Sequence, residues 1–144
     1  MKVVILGCGR VGARLANTLD AGGHRVSIID RNPDAFRRFL ASGFTGLAVA
    51  GIGIDEDVLR RARIEDADVF VAATNLDNVN AMASQIAQHI FHVPRVVARM
   101  YDPVREEVYQ TLGLTTVCPT VVGAERIKEM LDSRWQDCAA RAGG

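Results

Sequence analysis

The chain has 144 residues, the usual size of one domain, and can bury roughly two-thirds of the surface its unfolded state would expose. Seventeen Lys and Arg balance seventeen Asp and Glu, so the summed field draws the chain to neither nucleic acid nor an anionic membrane surface. Three cysteines, Cys8, Cys118 and Cys138, lack the close pairs of a zinc site and the even count of a secreted disulfide framework, and read as reduced cytosolic thiols.

The first segment, "MKVVIL", passes within a few residues into glycines. It has neither a signal-peptide hydrophobic region nor a span of about twenty apolar residues, and a soluble chain is expected. Short apolar runs then alternate with segments of helical period. Strands are expected at Lys2–Leu6, Arg25–Ile29, Gly46–Ala50, Asp68–Ala73, Arg95–Arg99 and Thr115–Cys118. Runs such as "VVIL", "VSII" and "VFVAA" are apolar at consecutive positions, as in strands covered on both faces. The pattern predicts a single α/β domain: a Rossmann-like, doubly wound, six-stranded parallel sheet with helices on both faces.

Between the strands, Val11, Leu15 and Leu19 share one helical face, and Val79, Met82, Ile86 and Ile90 share another. Both stripes are expected to be core. The segment "TVVGAERIKEMLDSRW" reads as a last helix, with Thr120 as its cap and Ile127, Met130, Leu131 and Trp135 as apolar positions. A Trp so near the end calls for a partner surface. The small-residue stretch "AARAGG" follows as a frayed end.

Gly7, Gly9 and Gly12 have the G-x-G-x-x-G spacing directly after a strand and at the start of a helix. Gly7 suits a tight turn, Gly9 a close approach of backbone to pyrophosphate, and Gly12 close packing of helix on strand. The intervening Cys8, Arg10 and Val11 belong to the same phosphate-binding turn, because the helix N-terminus offers unpaired N–H groups and partial positive charge to an anion. Asp30, eighteen positions after Gly12 at the end of the second strand, can accept hydrogen bonds from ribose hydroxyls, with Arg31 beside it. A 2′-phosphate there would bring two anions together, so NAD or an adenosine nucleotide is favoured over NADP.

Further candidates lie at the other strand ends, where open α/β sheets bind ligands. Gly51 and Gly53, with Ile52 between them, follow the third strand, Thr74 and Asn75 the fourth, and Arg99 ends the fifth. Thr74 and Asn75 can bond a ribose or phosphate, and they equally suit a helix-start loop. A guanidinium on an apolar strand needs an anionic or carbonyl partner, for which Asp102 and a ligand phosphate are the alternatives. No acid–base group stands out: His24 lies in a turn away from the glycines, and His89 and His92 lie near a helix end. Cys8, near a helix N-terminus, would have its thiolate favoured there, which leaves a redox-sensing role open.

The segments "VVILGCGRVGARLANTLDAGGHRVSIID", "VLRRARIEDADVFVAATNLDNVN", "VPRVVARMYDP" and "LGLTTVCP" resemble, in order and spacing, the N-terminal lobe of RCK or KTN domains. These are the regulatory subunits and gating rings of Trk- and Ktr-type potassium transporters and channels. The resemblance runs from Lys2 to about Leu131 and rests on the "ATN…N" and "ARMYDP" segments as well as the glycines. It implies a TrkA-N-like nucleotide-binding domain over residues 1–135 and a flexible C-terminal tail over 136–144. It further implies NAD(H), AMP, ADP or ATP as ligand, a phosphate-contacting arm at Arg10, and no enzymatic role. As partners it implies a second copy or a ring of copies and a membrane potassium transporter or channel subunit. The chain would then sit in the cytoplasm, at the inner membrane face through that partner.

Two positions depart from the family pattern. Ile52 stands where members usually have an acidic or amide residue against the nucleoside. Thr120 stands where some nucleotide-gated members have an acidic residue that helps hold a cation, so a magnesium or calcium site is not implied here. The smaller second lobe that many members append is missing, which leaves both a single-lobe subunit and a fragment open. The alternative to a nucleotide-sensing module is a fragment or subunit of an NAD-dependent oxidoreductase. An assembly scaffold with an empty pocket is the third reading.

Overall fold

The computed structural model describes residues 1–143. Six parallel strands, β1 (Lys2–Leu6), β2 (Arg25–Asp30), β3 (Leu47–Ala50), β4 (Val69–Ala72), β5 (Arg95–Arg99) and β6 (Thr115–Val117), form one sheet in the order β3-β2-β1-β4-β5-β6. Helices α1 (Arg10–Ala21), α2 (Asp34–Phe39), α3 (Glu56–Arg61), α4 (Asp77–His89), α5 (Pro103–Thr111) and α6 (Pro119–Ala142) connect and follow the strands. This is the doubly wound α/β fold the apolar runs predict. The strands differ from their expected bounds by one residue at most at any end.

Strand residues alternate between two cores, which is why their apolar runs are unbroken. Val3, Ile5, Val26 and Ile28 pack with Ala13 and Ala16 of α1. Val4, Leu6, Ile29 and Phe70 face the other way, onto Leu59, Ala83 and Ala87. Phe70, Ile5, Ile28 and Ile29 are fully buried, each contributing about 1.5–3 kcal/mol relative to exposure.

The helix stripes correct the sequence expectation in part. Both α1 and α4 lie on the sheet through small residues: Gly12, Ala13 and Ala16 in α1, and Asn80, Ala81, Ala83, Ser84 and Ala87 in α4. Small side chains let the helix approach a strand surface already filled by Val, Ile and Phe. Of the bulkier stripes, Leu15, Leu19, Val79 and Ile86 are partly buried and pack against these cores, as expected, whereas Val11, Met82 and Ile90 are exposed.

Helix α6 also differs. Its N-cap is Cys118, with Pro119 in the first turn and no side-chain cap. Thr120 instead donates its hydroxyl to the Tyr101 carbonyl at 3.3 Å. A proline with fixed φ and no N–H starts the helix before Thr120 can cap it. The helix continues to Ala142, past the expected end at Trp135 and through most of the tail expected over 136–144; Gly144 of that tail lies outside the described residues.

Candidate functional site

Strand order reverses between β1 and β4, and it is at such a switch point, outside the carboxyl ends of the strands, that doubly wound sheets form their ligand crevice. The glycine turn stands there. Gly7 has φ +103°, and a Cβ on it would lie 2.9 Å from the Ala73 carbonyl and the Thr74 nitrogen. A Cβ on Gly12 would run into the Gly7 carbonyl oxygen. Glycine is thus required at one position by conformation and approach, and at the other by approach. A Cβ on Gly9 would meet nothing within 4 Å, so that backbone faces open space. Gly9 is the N-cap of α1 and no side chain caps this end, which leaves the first-turn N–H groups of Arg10, Val11 and Gly12 for an anion or water.

Asp30, at the end of β2, closes one side. Its Oδ2 accepts the Cys8 N–H at 2.8 Å and its Oδ1 accepts the Asn32 N–H at 2.8 Å. The carboxylate is therefore fixed beside the glycine turn and keeps lone pairs for further donors. Gly51 donates its N–H to the Asp30 carbonyl at 3.0 Å, which brings the loop after β3 to the same edge. Ile52 on that loop is exposed.

Cys8 does not match the thiolate expected of it. Its side chain is fully buried and its thiol leans on the Ala35 carbonyl at 3.6 Å. Burial first, and the Asp30 carboxylate second, push its pKa up to about 11. The open N–H groups of α1 lie above the turn, whereas the sulfur is buried beneath it. At pH 8 a maleimide reagent is expected to label the exposed Cys138 and to leave Cys8 and Cys118 unmodified in the folded protein, with peptide mass spectrometry as the check.

On the β4 and β5 side, Thr74 takes the helix-start-loop role, one of its two readings, and Arg99 loses one of its two candidate partners. The Thr74 hydroxyl lies 2.6 Å from Asn80 Oδ1, to which it donates, so it holds the loop together; Asn75 is exposed. Asp102 is not the partner of Arg99. It caps α5, accepting the Val104 N–H at 2.9 Å, and lies 4.0 Å from Arg105. The Arg99 guanidinium lies over the Tyr101 ring, 5.2 Å from its centroid. Its Nε is buried and has no hydrogen-bond partner. Among the described residues no ion pair involves Arg10, Arg31 or Arg99, and Arg10 and Arg31 are exposed.

The sheet's direction brings together the glycine turn, Asp30, Arg31, Gly51, Ile52, Thr74, Asn75 and Arg99, all at carboxyl ends of strands. The histidines stand elsewhere. His24 precedes β2 and lies 3.1 Å from the Met1 amine, while His89 ends α4 and His92 follows it, at the opposite end of the sheet. Sequence reasoning missed Asp77 and Asn80, both buried in the first turn of α4. Their signal is a polar pair three positions apart on the face that carries Ala81, Ala83 and Ala87.

The TrkA-N domain family matches residues 3–120, a span that contains all of these residues. The chain belongs to the TrkA-N domain family. Among curated relatives of this TrkA-N chain, the Trk system potassium uptake protein TrkA of Streptomyces coelicolor is 46% identical over 142 residues, covering 95% of this chain and 63% of the relative. The chain thus spans less than two-thirds of that relative. Among solved structures, the TrkA-N domain of inner membrane protein ybaL from Escherichia coli superposes with a TM-score of 0.80 at 18% identity, covering 90% of this chain and 96% of the other. The Kef C-terminal domain of Shewanella denitrificans in its AMP-bound form follows, with a TM-score of 0.76 at 22% identity, covering 98% and 92%. At these identities the structural likenesses speak for the fold.

Proposed function

We propose that this TrkA-N chain is a regulatory domain that binds an adenine nucleotide, NAD(H), AMP, ADP or ATP, and through it controls a membrane potassium transporter or channel. The observation that carries the reading is the charge arrangement across the crevice. An uncapped helix N-terminus and the orphaned, buried Arg99 Nε on either side suit phosphates, while the fixed Asp30 carboxylate at the edge suits ribose hydroxyls. The likeness to a potassium uptake protein and to an AMP-bound domain supports the same reading. Arg10, exposed on the first turn of α1 with five donors at its tip, reaches toward the terminal phosphates of the bound ligand or of a neighbouring subunit's ligand. No catalytic step is assigned to the domain.

Control of a partner requires that occupancy change the relation between subunits. Helix α6 supplies the contact surface. Its 24 residues make it about 36 Å long, and Ile127, Met130 and Leu131 are exposed along it, with Trp135 77% exposed. Such a stripe is normally covered by a second chain. Among the described residues no helix is long and apolar enough to cross a membrane; the domain acts at the cytoplasmic face through its partner.

The direct test is calorimetric. Arg99→Met is expected to weaken AMP and ADP by about 1.5 kcal/mol, roughly tenfold, the scale of a hydrogen bond to a charged group. Adenosine affinity and folding stability should stay near the parent's, since the variant removes an already unpaired buried nitrogen. A parent protein that binds none of these nucleotides, and carries none when purified, would remove the proposal. For association, sedimentation at tens of micromolar is expected to show a dimer or larger species that Trp135→Ala weakens; a monomer throughout would discard α6 as the contact.

A further inference from the structure

Asp77 and Asn80, one turn apart at the start of α4, are 7% and 0% exposed. Neither is used by its own helix. Asp77 accepts the Tyr101 N–H at 2.7 Å through Oδ1 and the Asp102 N–H at 3.0 Å through Oδ2. Asn80 accepts the Thr74 N–H at 3.0 Å and the Thr74 hydroxyl at 2.6 Å through Oδ1. Its Nδ2 donates to the Thr74 carbonyl at 3.0 Å and the Arg99 carbonyl at 2.8 Å. A side-chain amide has two donors and two lone pairs, and all four are used.

The two side chains form a bracket between the loop after β4 and the turn after β5. Arg99 sits at its centre, with its own carbonyl held by Asn80 and, beyond Met100, the Tyr101 and Asp102 N–H groups held by Asp77. Arg99 is also the residue whose Nε is buried without a partner and whose guanidinium lies on Tyr101. Packing α4 on the sheet does not require polar groups, since Ala81, Ala83 and Ala87 do so on the same helix. A buried carboxylate and amide cost desolvation that apolar residues would avoid. What they add is a fixed relation between two loops that otherwise share no hydrogen-bond ladder beyond the strand ends.

We infer that Asp77 and Asn80 are positioning residues of the nucleotide site: they lock the Thr74–Asn75 loop to the Arg99 turn and so set where the Arg99 guanidinium meets a phosphate. This rests on the nucleotide reading given above. Neither residue touches the ligand; each acts through Arg99.

Two measurements decide it. The first is amide hydrogen exchange on the unliganded protein. Asp77→Asn turns an acceptor oxygen into a donor facing an N–H, so Tyr101 and Asp102 amides are expected to exchange at least tenfold faster while those of β1 and α1 stay as in the parent. The second is a double-mutant cycle with Arg99→Met, read by AMP, ADP and adenosine titration. Asn80→Asp, which keeps the acceptor and loses both donated bonds, is expected to weaken AMP and ADP roughly tenfold, to spare adenosine, and to add almost nothing once Arg99 is Met. Where circular dichroism shows Asn80→Asp unfolded, Asp77→Asn carries the cycle instead. Losses that add independently of Arg99, or fall equally on adenosine, or unchanged exchange at Tyr101 and Asp102, would overturn the positioning role while leaving the nucleotide site standing. A parent that binds neither adenosine nor AMP would overturn the nucleotide reading itself.

Discussion

Gly12→Ala is expected to destabilise the domain by about 3 kcal/mol or more and to lower its melting temperature by about 10 °C. The added methyl would run into the Gly7 carbonyl oxygen, and the Ile5 side chain stands 3.5 Å away. Neither neighbour can give way easily. Gly7 is itself pinned by its N–H on the Ile29 carbonyl at 2.7 Å and by its approach to Ala73 and Thr74. Relief therefore requires α1 to lift from the sheet, and Ala13 and Ala16 with it, both of which lie in the core beneath that helix. Gly9→Ala is the informative contrast. Its methyl meets nothing within 4 Å and its backbone is extended, φ −88° and ψ −162°, so the fold should be kept. On the nucleotide reading proposed above, the methyl would occupy the space through which a phosphate approaches the first N–H groups of α1. Thermal unfolding and AMP titration of the two variants check the pair: equal melting temperatures would refute the packing account of Gly12, and undiminished AMP binding by Gly9→Ala would refute the approach through Gly9.

The strands were legible because burial on both faces writes itself as consecutive Val, Ile and Leu, as in "VVIL" and "VSII". The glycine turn was legible because sterics leave so few ways to bring a helix start against a strand end. Helix faces were harder. In α4 the large residues Met82 and Ile90 dominate the apolar period, yet the sheet selects the small ones, and period alone cannot tell a core stripe from a flank. The same rotation hid Asp77 and Asn80, because a polar residue on a helix reads as solvent-facing until the partners from distant loops are known. Those partners lie 6 to 25 residues away along the chain. For Arg99 the residue pattern left Asp102 and a ligand open, and the capping of α5 by Asp102 removes the first. Cys8 shows how depth overrides position: a helix N-terminus lowers a thiol that faces it, whereas this one is buried below the turn and its pKa rises.

Asp30→Ala is expected to abolish most nucleotide affinity, weakening AMP, ADP and NAD by about 3 kcal/mol, roughly a hundredfold, the upper range for hydrogen bonds to a charged group. Two effects combine. The variant removes the acceptor proposed for the ribose hydroxyls, and it frees the Cys8 N–H and the Asn32 N–H that the carboxylate now holds at 2.8 Å each. The glycine turn keeps its Gly7 N–H bond to the Ile29 carbonyl but loses the Cys8 tether to β2, so under the proposed reading phosphate contacts suffer along with ribose contacts. Adenosine should therefore lose affinity too, which separates Asp30 from Arg99 and Arg10, whose removal spares a ligand without phosphates. Asp30→Asn divides the two effects: it keeps one acceptor oxygen for a backbone N–H and loses the negative charge that ribose hydroxyls prefer, so its loss should fall between parent and alanine. Calorimetry with adenosine, AMP and 2′-deoxyadenosine monophosphate reads the assignment directly. The 2′-deoxy ligand should bind the parent less tightly than AMP does and bind Asp30→Ala about as well as AMP does, because the hydroxyl it lacks has no carboxylate left to meet. A parent that binds AMP and its 2′-deoxy form alike, or an Asp30→Ala protein with unchanged AMP affinity, would remove the carboxylate from the ribose.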